Sequence, residues 1–263
     1  MATVECIDKK RARTLKFANP PRHYMTEDGA EQLADLVRGA LEIESVRTII
    51  LTGTDDVFIR HYDISELTSA GEAASAGHLP KTSFNEIAMS RLHDACVASP
   101  KPVIAAINGT CMGGGLEIAL ACDLRIASQS VKEIGLPETR LSIIPGGGGT
   151  QQLPRAIGEA AALNMILRGL AVDADEAQRI GLVHEVAPDA VKRALSITSE
   201  ISGSSPESIA AAKRLVRSAA RTELSEGNLA ERLAFFDLLK TDSAKAAMRR
   251  FFEVGEDILN SRP

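Results

Sequence analysis

Between Lys101 and Ser128 the chain reads KPVIAAINGTCMGGGLEIALACDLRIAS. This is an apolar strand, a tight turn, three consecutive glycines, a helix with a single carboxylate, Glu117, and a second strand. Two buried strands flanking an apolar helix predict an α/β fold. The glycines do more, because they let backbone N–H groups approach a ligand without an intervening Cβ. At a helix start those groups lack intrahelical partners and sit at the positive end of the helix dipole. Such a site holds an oxygen that becomes negative during a reaction, and an acid just inside the same helix handles a proton beside it. The segment predicts an enzyme.

The rest of the chain supplies repeated strands and helices. Residues 3–18 alternate as a strand or hairpin, and NPPRHYMT is a loop by its paired prolines. EDGAEQLADLVRGALEIE has helical spacing, and RTIILTG reads as a buried strand, so parallel pairing through a crossover helix is expected. DDVFIRHYDISEL reads as a loop entering a short helix, and the small polar residues 68–80 as a surface loop. A helix is expected over Lys81 to Ala98. Further on, AALNMILRG is helical, and VDADEAQRIGLVHEVAP gives a short helix capped by Asp173 or Asp175 and then a strand. From about Asp189 strand signals end and charged helical sequence takes over, predicting three or four helices that dock on the main domain or on another subunit. The expected division is a core over 1–190 with the active site and a helical oligomerisation region over 191–263.

A second carboxylate, Glu138, lies in the loop GLPETRL, one strand beyond Glu117. Two acids at one pocket edge suit addition or removal of water across a double bond, one handling the water and the other the carbon proton. Composition narrows the partners. The net charge of −5 and a pI near 5.6 argue against nucleic acid, and the absence of Trp argues against base stacking. No apolar run spans a bilayer and no signal core opens the chain, so a cytoplasmic protein is expected. The four scattered cysteines form no CxxC pair and read as buried free thiols, so no metal is expected.

Taken together, LTG at Leu51 to Gly53, KPVIAAINGTCMGGGLEIALACDLRIAS, PETRLSIIPGGGGTQQLPRAIG and AQRIGLVHEV resemble the crotonase (enoyl-CoA hydratase/isomerase) superfamily, over essentially the whole chain. The resemblance implies a crotonase-like core of repeated strand-strand-helix (ββα) turns, a C-terminal helical region, and a homotrimer or homohexamer. It implies an acyl-CoA substrate and no cofactor, coenzyme A being part of the substrate. Residue by residue, Gly114 matches one oxyanion-hole donor, and Glu117 and Glu138 match the two catalytic glutamates of hydratases. Glu117 would then activate water for attack at Cβ and Glu138 would exchange the proton at Cα. Tyr62 falls on the other donor position, where Phe58-Ile59-Arg60-His61-Tyr62-Asp63-Ile64 replaces a pattern of smaller residues. Arg22, Arg60, His61, Asp63, Ile64 and Gly113 fall at positions expected to bind substrate.

Each feature has a plainer reading. A glycine run alone is more often close helix packing, and Gly146 to Gly149, with no Gly-Lys-Ser/Thr after it, is no P-loop. Glu138 alone would be a surface acid. Glu117 sits in an apolar run, so it needs a partner or a raised pKa. Arg22 and Arg60 read equally as solvated surface residues, His61 more often as a packing or surface residue, and Phe251 and Phe252 as core or subunit contacts. The expected activity is therefore that of an enoyl-CoA hydratase, a hydro-lyase. Isomerisation, racemisation and thioester hydrolysis are the nearest alternatives. The stretches IIPGGGGTQ and LPRAIG also resemble methylglutaconyl-CoA hydratases, some of which bind RNA, a role the acidic charge disfavours.

Overall fold

The protein, described from a computed structural model, is seen at residues 1–80 and 86–255. The first strands, β1 (Thr3–Lys9) and β2 (Ala12–Ala18), form the expected antiparallel hairpin. Helix α1 (Glu27–Gly39) begins at Thr26, whose side chain accepts from the Gly29 N–H. It crosses to β3 (Thr48–Thr52), which pairs with β2 in parallel. The chain then repeats a pattern. After β3 comes β4 (Val57–Ile59), with α2 (Ile64–Ser75) and α3 (Ala88–Ala98). After β5 (Val103–Ile107) comes β6 (Thr110–Met112), then α4 (Gly114–Ala121). After β7 (Leu124–Ser128) comes β8 (Ile134–Gly135), then a 3-10 turn at Glu138–Leu141, α5 (Gly149–Ile157) and α6 (Glu159–Arg168). From β3 to β8 the odd strands join one sheet and the even strands another, so each turn is strand, strand, helix.

Next come β9 (Ala171–Val172), α7 (Ala174–Arg179) and β10 (Glu185–Ala187). The large sheet has the order β1-β2-β3-β5-β7-β10 and the small one β4-β6-β8-β9. Asp173 is the cap of α7, its carboxylate accepting from the Glu176 N–H. Four helices follow: α8 (Ala190–Ile201), α9 (Pro206–Ala219), α10 (Leu224–Leu239) and α11 (Asp242–Val254). The central strands β3, β5 and β7 of the large sheet are buried on both faces, which is why they read as continuous apolar runs. Ile49, Leu51, Val103, Ala105 and Ile107 face the main core, whereas Ile50, Ile104, Ala106 and Ile126 face α8. Helix α9 is tied to the core by Lys213 and Arg217, both paired with Asp123 at 2.7 and 3.0 Å.

The structure departs from the expected elements at α2, β4, β6, the start of α3 and Cys6. Residues 68–75 are helical, as part of α2, which starts at the Asp63 cap and buries no side chain. Its small residues concealed it, because no apolar stripe marks a helix that packs little. The three-residue strands β4 and β6 were too short to show periodicity and were expected as loop and turn. The helix expected from Lys81 is seen from Ala88, and residues 81–85 lie outside the described residues, as does the tail's end from 256. Cys96, Cys111 and Cys122 are buried and free, but Cys6 is exposed, because it lies on the edge strand β1.

Candidate active site

Helix α4 is apolar all round and buried along its whole length, with Glu117 as its one charged residue. The Glu117 side chain is therefore enclosed, at 4% exposure. A buried carboxylate requires hydrogen bonds, and the glycine run before α5 supplies them. The N–H groups of Gly147 and Gly149 both donate to Glu117 Oε1, at 2.7 and 2.8 Å. Burial raises the Glu117 pKa, while these two N–H groups and nearby His93 oppose the rise. A carboxylate held on one oxygen and raised in pKa is a positioned base.

The second feature is the start of α4. Gly113 has φ +52° and ψ −127°, a conformation that L side chains rarely adopt. Its N–H donates to Gly135 O at 2.9 Å, so it serves the small sheet and not a ligand. Gly114 is the first helical residue, so its N–H has no intrahelical partner. A Cβ built on Gly114 would stand 3.6 Å from the Tyr62 nitrogen, so the two matched donor residues are neighbours. Met25 bridges the segment 61–63 in parallel: the Met25 N–H donates to His61 O at 2.8 Å and the Asp63 N–H to Met25 O at 2.7 Å. Among the described residues the Tyr62 N–H has no hydrogen bond.

Glu138 opens the 3-10 turn after Pro137 and is partly buried. A Cβ on Gly113 would stand 3.0 Å from Glu138 Oε1 and 3.2 Å from the His61 Cβ, so Glu138 borders the same helix start. Its Oε2 is buried and has no hydrogen-bond partner among the described residues. Burial pushes the Glu138 pKa up to about 7; its own backbone N–H opposes this and the charge of Glu117 adds to it. The two acids thus occupy unequal environments, one cradled by N–H groups and one with an unpartnered oxygen. The raised pKa has a thermodynamic consequence. Between 4.5, the ordinary value, and about 7 the folded protein holds a proton that the unfolded chain has released. Stability from Glu138 is full below that window and is lost as the pH rises through 7. The melting temperature is expected to fall across this window in the parent and less steeply in Glu138→Gln; equal slopes in pH-dependent melts would rule Glu138 out as a source.

Arg22, Arg60 and His61 gather around Tyr24. His61 stacks on the Tyr24 ring with centroids 4.3 Å apart, and its Nδ1 donates to Tyr62 O at 2.7 Å. Arg22 Nη1 donates to the Tyr24 hydroxyl at 3.2 Å, and Arg60 Nε donates to Arg22 O at 3.3 Å. Asp63 is engaged as the cap of α2, accepting from the Ser65 N–H at 2.8 Å, and Ile64 is the first residue of that helix. Residues that sequence reasoning did not single out also meet here. Gly147 and Gly149 bind Glu117 by backbone alone, and the available signal was a glycine run in a chain whose buried acid needed donors. Glu27 contacts Tyr62, and His93 pairs with Gln152 at 2.8 Å beside the glycine run; neither contact has a local signal.

The enoyl-CoA hydratase/isomerase family model matches residues 14–259. YngF, an enoyl-CoA hydratase/isomerase-family protein of Bacillus subtilis (strain 168), is 40% identical over 233 residues, 85% of each chain. The enoyl-CoA isomerase/hydratase fer4 of Mycosarcoma maydis is 34% identical over 82% of this chain and 77% of its own. Among solved structures, enoyl-CoA hydratase from Bacillus anthracis superposes with a TM-score of 0.83 at 29% identity, covering 96% of each chain. The chain belongs to the enoyl-CoA hydratase/isomerase (crotonase) superfamily, and its two-sheet α/β core with C-terminal helices is the crotonase fold. Among the described residues no cluster of three or more His, Cys, Asp or Glu could hold a metal ion, and no helix is long and apolar enough to cross a membrane.

Proposed function

We propose that this protein hydrates trans-2-enoyl-CoA thioesters. The observation that carries the reading is the buried, unequal pair Glu117 and Glu138 at the start of α4. The thioester oxygen accepts from the N–H groups of Tyr62 and Gly114, which stabilise the negative charge that builds up on it. Glu117, held through Oε1, takes a proton from water as the water oxygen bonds to Cβ. Glu138, protonated near neutral pH, gives its proton to Cα. The sum is H and OH across the double bond, and solvent restores the two carboxyls. An isomerase needs proton transfer but no positioned water, so retention of both acids favours hydration. The test is loss of enoyl-thioester absorbance with enoyl-CoAs of increasing chain length. Folded protein inactive on every length would refute the reading.

The Tyr24-centred group of Arg22, Arg60 and His61 is proposed to meet the phosphate-bearing part of CoA, beside Gly113, Asp63 and Ile64. The location is proposed to be cytoplasmic. Helices α10 and α11 expose Leu229, Leu233, Phe235, Phe236 and Phe252, the last at 89%. An apolar surface of this kind fits a subunit contact, so the C-terminal helices are proposed to build a homotrimer or homohexamer. Light scattering is expected to return three or six times the 28.0 kDa chain mass; a monomer would contradict this.

A further inference from the structure

We infer that the Tyr62 side chain is a positioning latch for the oxyanion hole: its hydroxyl, bound to Glu27, fixes the Tyr62 N–H against Gly114. This rests on the reading of the Tyr62 N–H as a donor to the thioester oxygen. A backbone donor survives any side chain, so a small residue could supply the same N–H. What a small residue cannot supply is a tie to the surroundings. The backbone of the segment 60–63 is bridged to Met25 at His61 and Asp63, but it gains no tie from α2, which follows it and buries no side chain of its own.

Glu27 is the node of that tie. The Tyr62 hydroxyl donates to Glu27 Oε2 at 3.2 Å. Glu27 Oε1 accepts from the Ala88 N–H at 2.7 Å, at the start of α3. The Glu27 N–H donates to Glu66 Oε2 at 2.9 Å, within the first turn of α2. The Glu27 carboxylate thus joins the start of α3 to Tyr62, while the Glu27 backbone N–H separately holds the first turn of α2. The next residue of α3, Met89, brings its methyl within 3.0 Å of where a Gly114 Cβ would stand, so the node reaches both halves of the hole. Arg91 Nη2 lies 3.6 Å from the same Glu27 Oε1. Burial raises the Tyr62 pKa, and Glu66 and Glu27 raise it further, which keeps the phenol a donor throughout the neutral range. Because small displacements of a hole donor weaken transition-state stabilisation strongly, loosening this tie should slow turnover more than it weakens binding.

The test uses Tyr62→Phe, Glu27→Ala and Glu27→Gln in the full chain, with butyryl-CoA labelled with 13C at the thioester carbonyl as an unreactive probe. Binding to the parent is expected to lower the carbonyl stretching frequency. Tyr62→Phe should move the band back toward its free value and lower kcat roughly tenfold with KM little changed, at an unaltered melting temperature. Glu27→Ala should behave likewise. Glu27→Gln should rescue, because its oxygen can accept from Ala88 while its amide donates to the Tyr62 oxygen. A parent band shifted on binding, and left unmoved with normal kcat in both Tyr62→Phe and Glu27→Ala, would overturn the latch and leave the hole intact. A parent band identical to free butyryl-CoA would remove the hole, and the latch with it.

Discussion

Replacing Glu117 by Gln is expected to lower kcat for crotonyl-CoA hydration by about 100-fold or more, equivalent to about 2.7 kcal/mol of barrier. Glutamine keeps the shape of the side chain. Its single carbonyl oxygen can still accept from the N–H groups of Gly147 and Gly149, which now bind Oε1. Its other terminal atom becomes an amide nitrogen with no lone pair able to take a proton from water. The loss should therefore fall on kcat, with KM nearly unchanged. Folding should not suffer, because a neutral amide replaces a buried acid. Steady-state kinetics with thermal melts checks both halves, and near-normal turnover would remove Glu117 from the mechanism.

Glu138→Gln is expected to cost a similar factor by a different route. In the hydration proposed above Glu138 would be the proton donor, and its pKa is raised to about 7, mainly by burial. The parent kcat/KM should therefore fall as the pH rises above about 7, where the donor loses its proton. Dehydration should share this alkaline limb, because the reaction takes up no net proton and both directions need the Glu117–Glu138 pair to hold one proton. Glutamine abolishes the limb in both directions and also the exchange of the Cα proton with deuterated solvent. A variant that kept the alkaline limb would assign that titration to another group, and one that kept fast Cα exchange would remove Glu138 from proton transfer.

How much of this was legible in the sequence depended on how local the signal was. The helix start at Gly113–Gly115 and the acid Glu117 lie within a few residues, and their geometry follows from rules about helix termini. The buried strands β3, β5 and β7 were legible because burial on both faces leaves unbroken apolar runs. The strands β4 and β6 were not, being three residues long. Helix α2 was read in part as a loop because nothing in it is buried. The glycine run before α5 was read as no phosphate loop, yet its N–H groups hold an acid on another helix, a partnership far apart in the chain. Bulky Tyr62 looked out of place among smaller residues. Its side chain reaches Glu27 on α1, and no pattern near either residue announces that contact.

The central claim is that water adds to the double bond of an enoyl thioester. The measurement that tests it most directly is mass analysis of the product made from crotonyl-CoA in water enriched in 18O. One 18O atom per product is expected in the hydroxyl of 3-hydroxybutyryl-CoA, with the thioester intact. An isomerised product without label, or free CoA with label in the released acid, would contradict it.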